Sequence, residues 1–309
     1  MTVFENGAAA ANGVAAAVGL GNFDGLHLGH ISLIYALTRR AAEAGLPALI
    51  YTFASHPQNV LAGSGAVRLL TDNAKKRALV AQTAVDGLYF EHFDRDYADM
   101  PPEVFARRVL AGKLNARLVA VGGNYRFGRQ NAGTVGDLKR FGQKYGFAVA
   151  EISPYEVGGT AVSSSRIRDL LDAGRVEEAP ALLGRLFSVR GTVHAGLRLG
   201  RTIGFPTANM LPEAGRMVPG AGVYITSTHV GGALCRGLTS VGSNPTVGVR
   251  SDDITETFLL DFSDEIYGET IEVFFHKRIR GIRKFPDLNA LKAQIGLDAD
   301  AARHYFREL

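Results

Sequence analysis

The sequence has no tryptophan and only one cysteine, Cys235, among its 309 residues. A single cysteine excludes an intramolecular disulfide and any cysteine-based metal framework. Its apolar neighbours Ala233 and Leu234 favour a structural thiol over a reactive one. No run of five like charges occurs, and 34 Lys and Arg face 30 acids. Nucleic-acid binders cluster their basic residues on one face, so no nucleic-acid partner is expected, and a few arginines aimed at phosphate groups account for the small excess. No stretch of about 18 apolar residues is present, so no membrane-spanning helix is expected. No Lys or Arg precedes Arg39, so a secretory signal, which needs a basic leading region, is not expected. A cytoplasmic protein with no membrane partner is the expectation. A G-x-x-x-x-G-K-[ST] segment is missing too, which excludes a P-loop.

What is present is ample apolar material, 46 % of the residues, and a length that suggests two domains at roughly 100–200 residues each. The run 14–20 reads as a buried strand ending in a glycine turn. A helix is expected over 30–44, with Ile31, Ile34, Leu37 and Ala41 facing inward and Gly45 ending it. Further strands over 48–53, 87–90, 117–121 and 147–152 alternate with helices over 72–83, 102–110 and 134–145. In the first of these helices Ala74, Ala78 and Leu79 are expected inward. Such alternation predicts a doubly wound parallel sheet, whose ligands bind outside the carboxyl ends of the strands. The turns 19–30, 53–57 and 122–128 all lie at that edge and are expected to be neighbours in space.

After Leu183 the pattern changes. Short strands over 186–194, 222–229, 233–241, 256–262 and 270–278, with a Gly231-Gly232 hairpin signal, predict an antiparallel barrel. A helical tail follows over 288–306. The boundary is placed at Gly184, giving domains 1–184 and 185–309.

Gly19-Leu20-Gly21-Asn22-Phe23-Asp24 begins like a dinucleotide fingerprint, but Asp24 stands where its third glycine belongs. The segment instead runs into His27-x-x-His30 at a strand-to-helix junction. Residues three apart share one side of a helix, and a helix N-terminus offers free N–H groups and partial positive charge to an anion. Two imidazole donors there would clamp a triphosphate. The bland readings are a pair of structural histidines or a metal pair, the latter needing a further ligand. Gly21, Gly25 and Gly29 tilt the balance toward phosphate, since glycine lets backbone approach closely. A second constellation, Ser163-Ser164-Ser165 with Arg168 one turn on and Gly174 at the end, combines capping hydroxyls with an arginine suited to phosphates. A plain N-cap with a solvated arginine is the alternative.

Together these residues resemble the bacterial bifunctional riboflavin kinase/FMN adenylyltransferase (FAD synthetase) family. The segment from Gly21 to His30 is of the G-x-F-D-G-x-H-x-G-H kind shared by nucleotidylyltransferases, and 162–168 is similar to the family's S-S-T-x-I-R. Phe53-x-x-His56-Pro57 and the stretch 121–128 containing Asn124 resemble its flavin-side loops. The most specific match is Gly204-Phe205-Pro206-Thr207-Ala208-Asn209, of the riboflavin kinase G-F-P-T-A-N type, followed at family spacing by 222–224, 241–246, Glu256 and Tyr267-Gly268.

The resemblance implies a nucleotidylyltransferase sheet, a Greek-key barrel and two ATP-dependent reactions, riboflavin to FMN and then FMN to FAD. It implies His27, His30 and Arg168 as catalytic in the first domain. Gly21, Phe23, Asp24, Gly29, Phe53, His56, Asn124, Ser163, Ser164 and Ser165 would bind nucleotide or flavin. In the barrel it implies Glu256 as base, Gly204, Pro206, Thr207 and Asn209 at the nucleotide, and Mg2+ on Thr207 and Asn209. The expected partners are riboflavin, FMN and ATP, with a monomer or weak homo-oligomer. Read without the resemblance, Glu256 is equally the outward polar residue of an edge strand, and Phe205-Pro206-Thr207 an ordinary turn.

The sequence departs from the pattern at Asn124 (usually Asp), Ser165 (Thr), 195–197 (H-G-D) and Ile282 (Glu). Two of these fall in the barrel, which suggests a weakened kinase or, as the alternative function, a flavin-binding paralogue. A nucleotidyltransferase for another small phosphate has no reason to carry the barrel.

Overall fold

The computed structural model describes residues 1–5, 13–63, 65–194, 205–242, 254–262 and 264–309. They form two compact units, Met1–Ser164 and Ser165–Leu309.

The first unit holds a six-stranded sheet of β1 (Thr2–Glu5), β2 (Ala16–Leu20), β3 (Ala48–Phe53), β4 (Gly87–Glu91), β5 (Ala116–Gly122) and β6 (Ala148–Ile152). All pairings are parallel, in the order β1-β4-β3-β2-β5-β6. β2 and β4 are buried along their whole length, because helices cover both faces of such a sheet; continuous apolar runs, not alternation, mark these strands. Val18, Leu49 and Val119 pack on one face with Leu138, while Ala17, Ile50 and Leu88 pack on the other with Leu37. From β2 the chain steps one way to β3 and β4, and later the other way to β5 and β6. This reversal opens a crevice at the carboxyl ends of β2 and β5.

Four details differ from the sequence expectation. β1 is an edge strand of four residues, mostly exposed, too short to show a period. The helix expected over 102–110 is one α-turn, Pro102–Phe105, running into a π-helix, Ala106–Lys113. The Leu114 N–H donates to the Val109 carbonyl, five residues back, at 2.9 Å. In α1 (Leu28–Glu43) Leu33 is buried, whereas Ile31 is exposed. In the helix Asn73–Val80 the fully inward residues are Lys76 and Val80; Leu79 packs partly buried against the core as expected, but Ala74 and Ala78 are exposed. Two turns of helix offer little periodicity, and alanines are too small to decide which face packs. A hairpin of β7 (Glu156–Val157) and β8 (Thr160–Ala161) leads into the helix Ser164–Asp172.

In the second unit β9 (Phe187–His194), β10 (Thr207–Pro212), β11 (Gly222–Val230), β12 (Ala233–Gly242), β13 (Ile254–Leu259) and β14 (Thr270–Arg280) close a barrel. All its pairings are antiparallel. The run β14-β11-β12-β13 places a fourth strand beside the first of a meander, the Greek-key arrangement. β9 alternates strictly, with Phe187, Val189, Gly191 and Val193 inward. The interior is partly polar: Thr226, Thr239 and Thr257 are fully buried. Their hydroxyls link at 2.8 and 2.9 Å, so each satisfies its neighbour. β10 is a strand where the sequence suggested only a turn, because Pro206 immediately before it hides its pattern.

The C-terminal helix Leu288–Arg307 lays Ala299 and Ala302 against Val223, Ile225 and Leu238. Arg280 fastens it: Nε and Nη2 donate to Asp298 Oδ2 at 2.9 and 2.7 Å, and Gln294 donates to Oδ1 at 2.7 Å. Both members of the pair are shielded, with side chains 18 % and 6 % exposed. Removing one partner of a buried pair costs roughly 3–5 kcal/mol, since the other charge is left uncompensated. Asp298→Ala is therefore expected to lower the thermal midpoint of the barrel by several degrees; a melting curve identical to wild type would show that Arg280 does not depend on this carboxylate.

Candidate active site

The loop between β2 and α1 is built from unusual backbone. Phe23, Gly25 and Leu26 have φ of 48°, 81° and 38°, a region that costs a side-chain-bearing residue about 1–3 kcal/mol and persists only where its surroundings over-determine it. The surroundings do so here. The Phe23 ring is fully buried and sits 5.1 Å from the His30 ring. Asp24, 4 % exposed, accepts from the backbone N–H of Leu70 at 2.9 Å and of Thr71 at 3.2 Å. The side chain of Phe23 is thus a backing for His30, and the Asp24 carboxylate is a clamp across the loop. A Cβ on Gly25 would lie 2.7 Å from Leu70, and one on Gly29 would lie 3.1 Å from the His27 ring. Both glycines leave room for the protein's own side chains.

His27 caps α1: its Nδ1 accepts from the His30 N–H at 3.3 Å. With Nδ1 accepting, a neutral ring carries its proton on Nε2 and can donate from there. The rings of His27 and His30 stack at 3.6 Å, inclined by 14°. Both imidazoles therefore stand at the leading end of a 16-residue helix, where backbone dipoles favour an anion. Ser164 Oγ donates to the Asp24 carbonyl at 2.9 Å, which ties the serine segment to the same loop. Ser163 and Ser165 are exposed, and Arg168 is half-buried one turn along the helix.

Next to the loop a small, open cleft is lined by Asn22, Asp24, Phe53, His56, Thr71 and Lys76, among others. His56 caps the helix Pro57–Leu61 through Nδ1, which accepts from Gln58 N–H at 3.3 Å, and its Nε2 lies 3.5 Å from Asn22 Nδ2. Phe53 is held edge-on by Phe93 at 5.0 Å and Tyr97 at 5.6 Å. Behind it Tyr51 donates to Glu91 at 2.6 Å, stands 2.8 Å from the Tyr97 hydroxyl, and shares Glu91 with Lys113. Burial pushes the Tyr51 and Tyr97 hydroxyls far up, so both remain neutral donors. Asn124 is exposed in the turn after β5, its Oδ1 3.4 Å from where a Gly122 Cβ would be.

On the barrel, strand register makes the second constellation. Asn209 on β10 pairs directly with Glu256 on β13. Glu256 pairs with Ser240 on β12, and Asn209 with His194 on β9. Directly opposed residues have Cβ atoms about 4.5–5.5 Å apart. His194, Asn209, Glu256 and Ser240 thus form one polar row across four strands. Thr207, two residues before Asn209, shares its face and pairs with Phe258. Thr255 and Thr257, which flank Glu256, are fully buried, so Glu256 is the outward residue of its strand. It keeps contact with solvent, yet crowding by the neighbouring strands desolvates its carboxyl and raises its pKa above the ordinary glutamate value. Pro206 is exposed. Gly204, with 195–203 and 243–253, lies outside the described residues.

Family models match both halves of the chain. One described as FAD synthetase matches residues 10–166, and one described as riboflavin kinase matches 183–306. The chain belongs to the bifunctional riboflavin kinase/FMN adenylyltransferase family. Relatives of that name from Escherichia coli and Haemophilus influenzae are 35 % and 33 % identical, over 93 % and 94 % of this chain and 91 % and 94 % of theirs. A crystal structure described as a macrolide-efflux protein from Streptococcus pneumoniae superposes with a TM-score of 0.89 at 29 % identity, covering 98 % of this chain and 99 % of that one. The family models and the curated relatives carry the assignment, not that description. Among the described residues of this family member, no helix is long and apolar enough to cross a membrane.

Sequence reasoning missed His194 and Ser240, which only register brings beside Glu256. It also missed Asn22, Thr71 and Lys76 in the cleft. Lys76 left no signal, because its helix was oriented with the alanines inward.

Proposed function

We propose that this chain makes FAD in two steps at two separate sites, with the functional boundary near Gly184. The first site is the β2–α1 loop, and the observation that carries it is the stacked His27–His30 pair at the leading end of α1. There an oxygen of the FMN phosphate attacks the α-phosphorus of ATP. The bond to the β-phosphate breaks, and pyrophosphate leaves. Negative charge grows on the α-phosphoryl oxygens and on the leaving group. Donors fixed in advance stabilise that charge more than they stabilise bound ATP. His27 Nε2–H, His30 and the first amides of α1 are those donors, and the hydroxyls of Ser163 and Ser164 take the pyrophosphate end; the resemblance assigns Arg168 to the same reaction. The cleft lined by Phe53 and His56 receives the flavin, and the resemblance assigns Asn124, in the turn after β5, to the same ligand.

The second site is the outer row on the barrel. Glu256 takes the proton of the terminal ribityl hydroxyl of riboflavin, whose oxygen attacks the γ-phosphorus of ATP, and ADP leaves. Phosphoryl transfer needs positioning and charge neutralisation above all. Thr207 and Asn209 share one face as oxygen donors, which suits a magnesium ion that keeps several waters and binds phosphate oxygens. Magnesium held there would neutralise the phosphate charge. Glu256 facing outward directly opposite Asn209 supports an active kinase over a silent flavin-binding paralogue.

The test is chromatography of the products formed by the purified full chain with riboflavin, ATP and magnesium. FMN is expected first and FAD after it, with pyrophosphate released in step with FAD. Tight flavin binding with neither product would favour the paralogue.

A further inference from the structure

Lys76 is a lysine that the mechanism above does not use. Only 6 % of it is exposed, and it lines the cleft beside the β2–α1 loop. Its Nζ donates to the Asn22 carbonyl at 2.9 Å and lies 3.4 Å from Thr52 Oγ1. On its other side it stands 5.8 Å from the centre of the Phe90 ring. Burying an ammonium is costly unless it is well bonded. Thr52 already donates to the same Asn22 carbonyl at 3.0 Å, so a neutral donor sufficed to satisfy that oxygen. The second, charged donor strengthens the hold, since charge-assisted hydrogen bonds are roughly twice as strong as neutral ones.

The carbonyl being held is the one immediately before Phe23, where the chain enters its left-handed turn. Three anchors secure this turn: the buried Phe23 ring beneath, the Asp24 clamp to Leu70 and Thr71 beyond, and Lys76 at its start. The last, with Thr52 Oγ1 beside it, fixes the peptide from which the turn departs, and it supplies the charged donor there. Any drift there passes along four residues to His27, which caps α1 and stacks on His30.

We propose that Lys76 is a positioning residue for adenylyl transfer: by holding the Asn22 carbonyl it sets the turn that aims His27 and His30 at the nucleotide. This rests on the assignment of adenylylation to the two histidines. A misplacement of about 1 Å costs catalysis on the order of 10²-fold. Lys76→Met is therefore expected to lower kcat for FAD formation by about 10- to 100-fold with a smaller change in KM for ATP, and Lys76→Arg to restore much of it. Riboflavin phosphorylation by the same sample should be unchanged.

A double-mutant cycle with His30→Ala separates positioning from plain support of the fold, because residues acting through one another give non-additive effects. If Lys76 works through the histidines, Lys76→Met will cost little more once His30 is gone. Should Lys76→Met fail to fold, Lys76→Gln, which keeps a donor but no charge, enters the same cycle. Fully additive losses, an arginine variant no better than methionine, or wild-type FAD formation by Lys76→Met would each overturn the proposal. A normal rate in His30→Ala alone would instead overturn the assignment beneath it, so the two failures are distinguishable.

Discussion

Replacing His30 with alanine is expected to cut FAD formation from FMN and ATP by about 10²–10³-fold, the range seen when one preorganised donor to a developing oxyanion is removed. The loss should appear in kcat, with KM for ATP changed much less, because the donor's value lies in charge that exists only in the transition state. His30 contributes its ring alone; its backbone N–H is already given to His27 Nδ1, so the variant keeps the cap. His27 differs in that respect. It is 5 % exposed and caps α1, and losing an N-cap costs typically about 1 kcal/mol of stability. His27→Ala should therefore lose both activity and stability, whereas His27→Asn, which can still cap, should lose chiefly activity. Stopped-time chromatography of FMN and FAD, with thermal melts of each variant, reads both quantities. FMN synthesis should continue in all three. If His30→Ala made FAD at the wild-type rate, the stacked pair would be no more than a helix cap.

The second large effect is expected at Glu256. Glu256→Gln keeps the shape and removes the base, and a positioned base contributes typically about 10²–10⁴-fold. FMN formation from riboflavin should fall within that range, while FAD formation from supplied FMN should be untouched. The pH profile gives a finer test. Desolvation raises the Glu256 carboxyl, and a general base works only when deprotonated. Kinase activity should thus be low in acid and rise through a pKa above that of ordinary glutamate as pH increases. That acidic limb should vanish from the residual activity of Glu256→Gln. An unchanged limb in the variant would assign it to another group, and an unchanged rate would leave Glu256 as the outward polar residue of its strand.

The histidine pair and Glu256 differ in how far local pattern reaches. Spacing alone was enough for His27 and His30: two residues three apart at a strand-to-helix junction must share one side of a helix end, whatever the rest of the chain does. The alternation of buried runs with helices pointed to the parallel sheet, and regular short strands with glycine turns pointed to the barrel. Glu256 was different. Its flanking threonines made either face possible, and the closed barrel decided the matter by burying Thr255 and Thr257 together with the hydroxyl chain to Thr239. Its partnership with Asn209 depends on register between strands more than forty residues apart in sequence, and no local pattern carries register.

What the sequence by itself determined was periodicity and order: a doubly wound sheet, then a barrel, with a histidine pair at a helix end in the first. Hydrogen-bond geometry fixes those periods residue by residue, so they are legible locally. Only the tertiary structure decided which side chains turn toward the sites. It buried Lys76 against the Asn22 carbonyl where the alanines beside it were expected, set Phe23 against the His30 ring and Asp24 across the loop to Leu70, and aligned His194, Asn209, Glu256 and Ser240 in one row. Facing depends on what the rest of the chain packs against each element, and that is a property of the whole fold.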